Sequence, residues 1–356
     1  MEQNNKLSFT DQDIYVGIDT HKNSWKVTIR TEHLEHKTFS QDPKPEILVN
    51  YLHRHFPEAD YHCVYEAGYF GFWIYESLKR QGVECIVVHS ADVPTRDKER
   101  RNRNDRVDSR KLARNLQNGE LIPLYVPSRQ AQEDRSLVRM RTTMVRKQTR
   151  CKNQIKSLLS FYDQKPPVEL AKARWSNRFI CWLESIKFHR KSGKQSLNTL
   201  VSELRHIRQS ISDLIRHIRH LSRQEPYREQ VAHLKSIPGI GLTTAMVFLT
   251  EIVDINRFKN IDHLASYVGL IPGEDSSGDR EIHTGISRRR NQNLRYLLIE
   301  SSWIAAGKDP ALTMSYNNLI KRMPKNKAII RIARKLLSRI RFVLKNREYY
   351  EPCVVS

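Results

Sequence analysis

The sequence predicts an α/β domain at the N-terminus, then long helices, and then a mainly α-helical C-terminal domain. Over about the first 125 residues, short apolar runs alternate with segments of helical spacing, which is typical of α/β domains. A leucine and isoleucine repeat then predicts a long helix, and glycines interrupt the helical pattern that begins near residue 231. We therefore expect three domains, at residues 1–127, 128–230 and 231–356.

The N-terminal domain is expected to contain five strands and three helices. Continuous apolar runs indicate buried strands, and the alternation of Trp25, Val27 and Ile29 indicates a half-buried one. The expected strands are Asp13–Asp19, Ser24–Arg30, His36–Ser40, Tyr61–Glu66 and Val83–His89, and the expected helices are Pro45–Phe56, Phe72–Gln81 and Arg106–Asn118. Three early strands, followed by strands that alternate with helices, are the element order of an RNase H-like domain.

The middle region carries a heptad pattern whose apolar residues follow one another at steps of 3, 4, 3, 4, 3, 4 and 3. These residues are Leu197, Leu200, Leu204, Ile207, Ile211, Leu214, Ile218 and Leu221. Such spacing is typical of a coiled-coil helix. Its partner is either a second apolar stretch, between Leu137 and Leu158, or a helix of another chain. No structure is assigned to Asp163–Gln195, which contains two adjacent prolines and is basic.

Two glycine-containing motifs mark the C-terminal domain. Ser236–Thr250 (SIPGIGLTTAMVFLT) has the pattern of a helix-hairpin-helix, in which Gly239 and Gly241 would let backbone amides approach a phosphate. The alternative is a tight interhelical turn that binds no ligand. The second motif, YVGLIPGEDSSGDREI, is rich in glycine and predicts a loop that holds Ser276 and Ser277.

The charge balance points to a polyanionic partner. Lys and Arg number 61 against 39 Asp and Glu, a formal net charge of +22. Such a protein typically binds nucleic acid, although a merely adhesive basic protein has the same charge. The five cysteines form no C-x-x-C pair, so neither a zinc site nor a disulfide framework is indicated. No apolar run is long enough to cross a membrane, and the first 12 residues lack a signal-peptide core, so a cytoplasmic location is expected.

Four carboxylates are candidate metal ligands. Asp19 and Glu66 end two of the predicted buried strands, where an unpaired charge would be costly. Asp105 and Asp108 lie three residues apart at the start of a predicted helix and therefore share one of its faces. Carboxylate oxygens are the ligands that Mg²⁺ prefers, and such ions promote phosphoryl transfer. Taken singly, the acids have simpler explanations, as dipole-favoured helix residues, a turn cap and a turn residue.

Basic segments accompany these acids. Arg96–Arg114 holds nine basic residues around four acids, and Lys321–Arg347 holds eleven and no acid. Both would attract a phosphate backbone, whereas a solvated charged loop and a membrane-surface helix are the respective alternatives. The residues expected to contact nucleic acid are Arg101, Arg103, Arg106, Arg110, Lys111, Gly239, Gly241, Arg288, Arg289, Arg290, Lys335 and Arg339.

Five motifs together resemble a known family. YVGIDTHKNSWKV, VYEAGYFG, NDRVDSRKLA, SIPGIGLTTA and YVGLIPGEDSSGD, in this order and spacing, resemble the DEDD transposases of the insertion-sequence 110 (IS110) family over about residues 13–345. The resemblance implies a RuvC-like catalytic domain, joined by a coiled coil to a transposase domain with a nucleophilic serine. The catalytic residues that it implies are Asp19, Glu66, Asp105, Asp108 and Ser277.

The same resemblance implies the cofactor and the partners. These are Mg²⁺, the DNA of the element ends and of the target, and a bridge RNA that guides the enzyme. It also implies a homo-oligomer, a dimer or a tetramer, whose active site combines carboxylates and serine from different protomers. The sequence departs from the family pattern at Arg290-Asn291, where Gly-Asn is usual, and in Arg174–Lys194, which is longer and more basic than expected.

The predicted function is transposition, by Mg²⁺-dependent cleavage and exchange of DNA strands through a phosphoserine intermediate. Two other classes of protein stay open. A RuvC-like structure-selective DNA endonuclease would need the four carboxylates but not Ser277. A non-catalytic protein that binds nucleic acid would need neither.

Overall fold

The computed structural model describes residues 8–96, 104–171, 174–277, 280–286 and 290–352. The chain divides into two compact units, Met1–Val126 and Pro127–Ser356. Each unit has its own hydrophobic core. Within the described ranges, no helix is both long enough and apolar enough to cross a membrane.

A mixed five-stranded sheet forms the centre of the first unit. Its strands are β1 (Asp13–Thr20), β2 (Trp25–Arg30), β3 (Glu35–Gln41), β4 (Asp60–Glu66) and β5 (Glu84–Val88). They lie in the order β3-β2-β1-β4-β5, with β1–β2 and β2–β3 antiparallel and β1–β4 and β4–β5 parallel. This mixed sheet, in a chain that is otherwise mostly helical, fits an RNase H-like fold.

Helices cover both faces of this sheet. They are α1 (Pro45–His55), α2 (Trp73–Arg80) and α3 (Asp105–Gln117), and a short 3₁₀ turn, Ser90–Asp92, follows β5. β4 shows the two faces clearly, because Cys63 and Tyr65 belong to one core cluster and Val64 to the cluster that contains Leu112 of α3. Every strand and helix predicted for this unit is present, with each end within one residue of its predicted position.

α3 approaches β1 closely because residue 17 is glycine. A Cβ atom at Gly17 would lie 2.1 Å from the Ser109 carbonyl oxygen and 2.5 Å from the Ala113 nitrogen, so no side chain fits there. Ser109 is buried, and its hydroxyl shares a hydrogen bond with that of Thr28 at 2.9 Å. This contact places the start of α3 beside the end of β1.

The second unit is mainly helical and contains ten helices and one two-stranded sheet among its described residues. The helices are α4 (Arg129–Phe161), α5 (Val168–Ala171), α6 (Asn177–Ser185), α7 (Lys191–Leu221), α8 (Tyr227–Lys235), α9 (Leu242–Ile252), α10 (Ile261–Val268), α11 (Gln292–Lys308), α12 (Pro310–Ile320) and α13 (Lys325–Asn346). α9 lies in the core, and one stripe of α13 is buried against α8, α10, α11 and α12.

The predicted heptad seam pairs within the chain. Cys151 of α4 and Leu204 of α7 are buried in one cluster, whereas Val138 and Ile218 share another, so the two helices run in opposite directions. The alternative that the sequence left open is therefore resolved in favour of α4 as the partner of α7 in this chain. Between the two clusters the seam stays partly exposed. The partly exposed apolar residues are Met144, Val145, Ile211, Leu214 and Ile215.

The segment predicted as a serine-containing loop is a β-hairpin. β6 (Pro272–Ser277) pairs antiparallel with β7 (Arg280–Ile286), and Ser277 is the register partner of Arg280. The prediction of a loop was therefore wrong over these two strands. The sequence signal was weak: Gly278-Asp279 has the Gly-X pattern of a two-residue hairpin turn, but the preceding segment, PGEDSS, contains no residue that favours a strand.

Candidate active site

Asp19 and Glu66 lie at the carboxyl ends of two strands, at the same edge of the sheet. β1 and β4 are parallel neighbours, and their register pairs Ile18 with Tyr65, the residues directly before the two acids. Because the carboxyl ends of adjacent parallel strands meet at one edge, both carboxylates lie on that side of the sheet.

α3 supplies the other two acids. The Asn104 side chain caps the helix by accepting a hydrogen bond from the Val107 amide at 2.9 Å. The helix therefore starts at Asp105, and Asp105 and Asp108 both lie in its first turn, where the helix dipole favours negative charge. The charges of both residues act on Asp19, so three of the four acids that the sequence singled out lie near one another. The fourth, Glu66, is linked to Asp108 through the ammonium of Lys111.

His21 organises one half of this cluster. Its Nε2 atom lies 3.2 Å from Asp19 Oδ2 and 3.6 Å from Asp105 Oδ1. One potential ligand atom from each of the three residues lies within 4.8 Å of the others. Two carboxylates and an imidazole are ordinary ligands of a divalent cation. This half is therefore a candidate metal site.

Lys111 organises the other half. Its Nζ atom lies 2.9 Å from Asp108 Oδ1 and 3.6 Å from Glu66 Oε1. Only 9% of the Lys111 side chain is exposed, so the ammonium is held inside the cluster and not in solvent. The four acids are thus divided into a pair that faces an imidazole and a pair that faces an internal cation.

The electrostatics of Asp19 favour a bound cation. Burial raises the pKa of its carboxyl above the ordinary value, and the negative charges of Asp105 and Asp108 act in the same direction. The charge and hydrogen bond of His21 oppose this effect and lower the pKa. A cation at this position would stabilise the ionised carboxylate, and the hard oxygen donors fit Mg²⁺.

Two predicted nucleic-acid contacts of the first unit are engaged within it. Arg110 donates a hydrogen bond from Nε to Glu35 Oε1 at 2.6 Å, and Lys111 pairs with the acids of the cluster. Part of the charge of both residues is therefore balanced within the unit, and their contact with phosphate stays a prediction. Arg106 is exposed, as that expectation requires. Arg101 and Arg103 lie outside the described residues.

Gly239 makes its close approach to the protein itself. It adopts a φ of +91°, and a Cβ atom there would lie 2.5 Å from the Ser301 carbonyl oxygen. The glycine therefore lets the turn between α8 and α9 pack against α11. This packing accounts for a glycine at residue 239, and its contact with phosphate stays a prediction. At Gly241, the residue before α9, an added Cβ would meet no atom within 4 Å.

The remaining predicted contacts fall into three groups. Arg290 and Lys335 are exposed. Arg339 donates from Nε to Tyr350 Oη at 2.8 Å and lies 3.7 Å from Asp309 Oδ2, so it neutralises a buried acid, and its contact with phosphate stays a prediction. Arg288 and Arg289 lie outside the described residues, whereas Ser277 is the last residue of β6.

Sequence reasoning missed the contacts of His21 with Asp19 and Asp105 and the pairing of Lys111 with Asp108 and Glu66. Local spacing carried a signal for both. His21 follows Asp19 by two residues, which in extended chain places both side chains on one side. Lys111 follows Asp108 by three residues, which places both on one face of a helix.

Comparisons with known proteins match two parts of this chain to transposase families. Residues 16–163 match the DEDD transposase family of IS110, and residues 231–317 match the transposase IS116/IS110/IS902 family.

Individual relatives are similar over longer stretches. A Sinorhizobium fredii protein named as a transposase, y4qE, is 31% identical over 248 residues, which are 69% of this chain and 58% of y4qE. The transposase of the insertion sequence element IS1111A from Coxiella burnetii is 28% identical over 258 residues, 70% of this chain and 68% of the relative. A second Sinorhizobium fredii protein, y4rJ, is 26% identical over 91% of this chain and 90% of its own length. The chain thus spans less than two thirds of y4qE.

Proposed function

Because this chain belongs to the IS110 family of DEDD transposases, we propose that it cuts and rejoins DNA strands to move an insertion sequence. The observation that carries this proposal is the convergence of four carboxylates at one edge of the sheet. A protein that only binds nucleic acid gains nothing from negative charge at the start of a basic helix, since it repels phosphate. A catalytic cation bound by these acids would explain why they lie there.

The first unit would hold the catalytic cation. Asp19 and Asp105, with His21 beside them, are the residues placed to ligate it. When bound, Mg²⁺ would supply Lewis-acid polarisation of the scissile phosphate. Glu66 and Asp108 hold the ammonium of Lys111 next to this position, which adds a fixed positive charge where a phosphate would bind.

Ser277 is the proposed nucleophile. Its Oγ atom attacks the phosphorus of a DNA phosphodiester, so an Oγ–P bond forms and the bond from phosphorus to the bridging oxygen of one strand end breaks. The serine hydroxyl gives up its proton, and the departing strand end takes up a proton and leaves as a free hydroxyl. The phosphoserine keeps a phosphodiester bond intact, so the reverse attack by a strand hydroxyl rejoins DNA without ATP.

We extend the proposal to the guide and to the assembly. A bridge RNA would select the DNA, and the active site would combine the carboxylates of one protomer with Ser277 of another in a dimer or tetramer. The exposed cations Arg106, Arg290 and Lys335 are suited to phosphate contacts with either nucleic acid. The resemblance to IS110 transposases supports these features.

A hydrolytic endonuclease of the RuvC type is the second candidate, because the carboxylate cluster belongs to the first unit alone and needs no serine. The two reactions leave different products. A nuclease releases free DNA ends, whereas the proposed recombinase holds one end on the protein.

A denaturing gel of labelled element-end DNA, incubated with protein and Mg²⁺, separates these mechanisms. The wild type should give a protein–DNA adduct that disappears on protease treatment, and chelation of the metal should abolish it. Ser277→Ala should give no adduct while still binding DNA, since only one hydroxyl is lost. Asp19→Ala/Asp108→Ala should neither cut nor link.

The neighbouring Ser276→Ala variant is the matched control and should keep the adduct. Free cleaved ends with no adduct in any variant would establish hydrolysis. An adduct that persists in Ser277→Ala would remove this serine from the mechanism. Cutting by the double aspartate variant with Mg²⁺ present would remove the carboxylates from it.

A further inference from the structure

Glu251 is a buried carboxylate with a full set of partners. It lies at the end of α9, and 1% of its side chain is exposed. Arg139 of α4 donates to both of its oxygens, from Nε to Oε1 at 2.6 Å and from Nη2 to Oε2 at 2.7 Å. The Asn291 side chain donates from Nδ2 to Oε2 at 2.8 Å. A charge so deeply buried is tolerated because each oxygen is paired.

Glu251 contacts the chain both before and after the β6–β7 hairpin. The Tyr267 hydroxyl donates to the Glu251 carbonyl oxygen at 3.1 Å. The Asn291 amide donates to the Tyr267 carbonyl oxygen at 3.0 Å. Since Tyr267 precedes β6 and Asn291 follows β7, the two residues that flank segment 268–290, which contains Ser277, are both bound to Glu251.

Both anchor residues are themselves held in place. The Arg257 guanidinium lies 4.7 Å from the centre of the Tyr267 ring, and the Phe258 ring packs 5.4 Å from it. Asn291 caps α11 by accepting a hydrogen bond from the Leu294 amide at 3.2 Å. The residues that flank segment 268–290 are thereby tied to α4, α9 and α11.

The charge of Glu251 is permanent under neutral conditions. Burial by itself would raise the pKa of this carboxyl, but the hydrogen bond and charge of Arg139, with smaller effects of Asn291 and Arg135, lower it below the ordinary 4.5. The ionised form therefore persists, and with it the two-oxygen contact to Arg139.

We propose that Glu251 is a positioning residue, which fixes both ends of the Ser277-bearing hairpin so that the serine meets a DNA phosphate in constant geometry. The proposal rests on the proposed function, because a fixed hairpin serves the reaction only if Ser277 is the nucleophile. A displacement of about 1 Å at a reacting group can slow a reaction about 100-fold, so loose ends should slow serine attack without weakening DNA binding.

Three variants and a control test this role. Glu251→Gln removes the charge and one acceptor but keeps the shape. Asn291→Ser keeps a side-chain oxygen for the helix cap but loses the amide donor. Glu251→Gln/Asn291→Asp restores a hydrogen bond between the two positions with donor and acceptor exchanged. Glu300→Gln makes the same chemical change at an exposed residue of α11.

The first readout is hydrogen exchange of the protein without DNA. Amides in segment 268–290 should exchange about tenfold faster in Glu251→Gln and Asn291→Ser, because the ends of the segment open more often. The double variant should return toward the wild type, and Glu300→Gln should not change. Wild-type exchange in both single variants would overturn the proposal. If Glu251→Gln does not fold, Asn291→Ser, which loses one hydrogen bond, carries the test.

The second readout is the single-turnover rate of adduct formation at saturating DNA, compared with the DNA dissociation constant. The rate should fall about 10- to 100-fold in both single variants while the dissociation constant stays constant. An unchanged rate, with Ser277→Ala still giving no adduct, would overturn the positioning role and leave the proposed function standing. Absence of an adduct in the wild type would overturn the proposed function, and this role with it.

Discussion

At the scale of single residues, the main finding is that carboxylates and cations of the first unit form ion pairs with one another. Lys111 faces Glu66 and Asp108, and Arg110 faces Glu35. Some of the positive charges of Arg96–Arg114 are therefore balanced within the unit and are not fully available to DNA phosphates. Part of this positive charge compensates for the negative charge that the carboxylate cluster collects.

The buried position of Lys111 leads to a prediction that separates a structural cation from a DNA contact. Lys111→Met should lower the free energy of unfolding of the protein by about 1–3 kcal/mol, because Glu66 and Asp108 would face each other without a cation. Urea denaturation measures this change, and Lys111→Arg should retain more of the stability. If Lys111→Met instead unfolds like the wild type and binds DNA with a weaker salt dependence, Lys111 contacts phosphate.

At the scale of elements, the α4–α7 pair combines two buried clusters with a partly exposed stretch between them. Leu204 is fully buried inside the chain's own core. Leu204→Asp would therefore unfold the helix pair, so it cannot report on oligomers. Ile211 and Leu214 are partly exposed and are the better probes of contact between chains.

Ile211→Asp is expected to weaken the proposed oligomer about tenfold or more while the helical circular dichroism stays near that of the wild type. The reason is that a charged group at a partly exposed seam position is solvated in the monomer but loses its water in an interface. Light scattering of the protein bound to DNA and RNA measures the assembly. Glu203→Asp, at an exposed position of the same helix, is the control. An unchanged particle mass in Ile211→Asp would exclude this part of the seam from the interface.

At the scale of the whole molecule, a net charge of +22 predicts binding to nucleic acid that weakens steeply with salt. The structure divides the cations into exposed ones, such as Arg290 and Lys335, and internally paired ones, such as Arg339. Only exposed cations release counterions when they contact phosphate. The net charge therefore overstates the number of phosphate contacts.

Single substitutions should distinguish exposed cations from internally paired ones by their effect on the salt dependence of DNA binding. If Lys335 contacts phosphate, Lys335→Ala should reduce the slope of log affinity against log salt by about 0.7 to 0.9. Arg339→Ala should leave that slope unchanged and reduce stability, because Asp309 would lose its cation. Fluorescence anisotropy over a salt series measures the slope. A smaller slope in Arg339→Ala would show that Arg339 reaches DNA despite its contacts with Asp309 and Tyr350.

Local sequence patterns were sufficient to predict the strands and helices of the first unit and to place its four acids on them. Apolar runs and alternation predicted each strand, and helical spacing predicted each helix, within one residue. These patterns are local, since side-chain direction repeats every two residues in a strand and every 3.6 in a helix. For the same reason Asp19 and Glu66 were recognised at strand ends and Asp105 and Asp108 on one helical face.

Only the tertiary structure decided which groups these residues meet. The partners of Arg110, Arg339 and Glu251 lie 75, 30 and 112 positions away in the chain, at Glu35, Asp309 and Arg139. The choice of α4 as the partner of α7, and the packing of Gly239 against Ser301, likewise join distant segments. A charge or a glycine looks the same in sequence whether it meets DNA or its own protein. Its partner depends on long-range packing, which local periodicity does not encode.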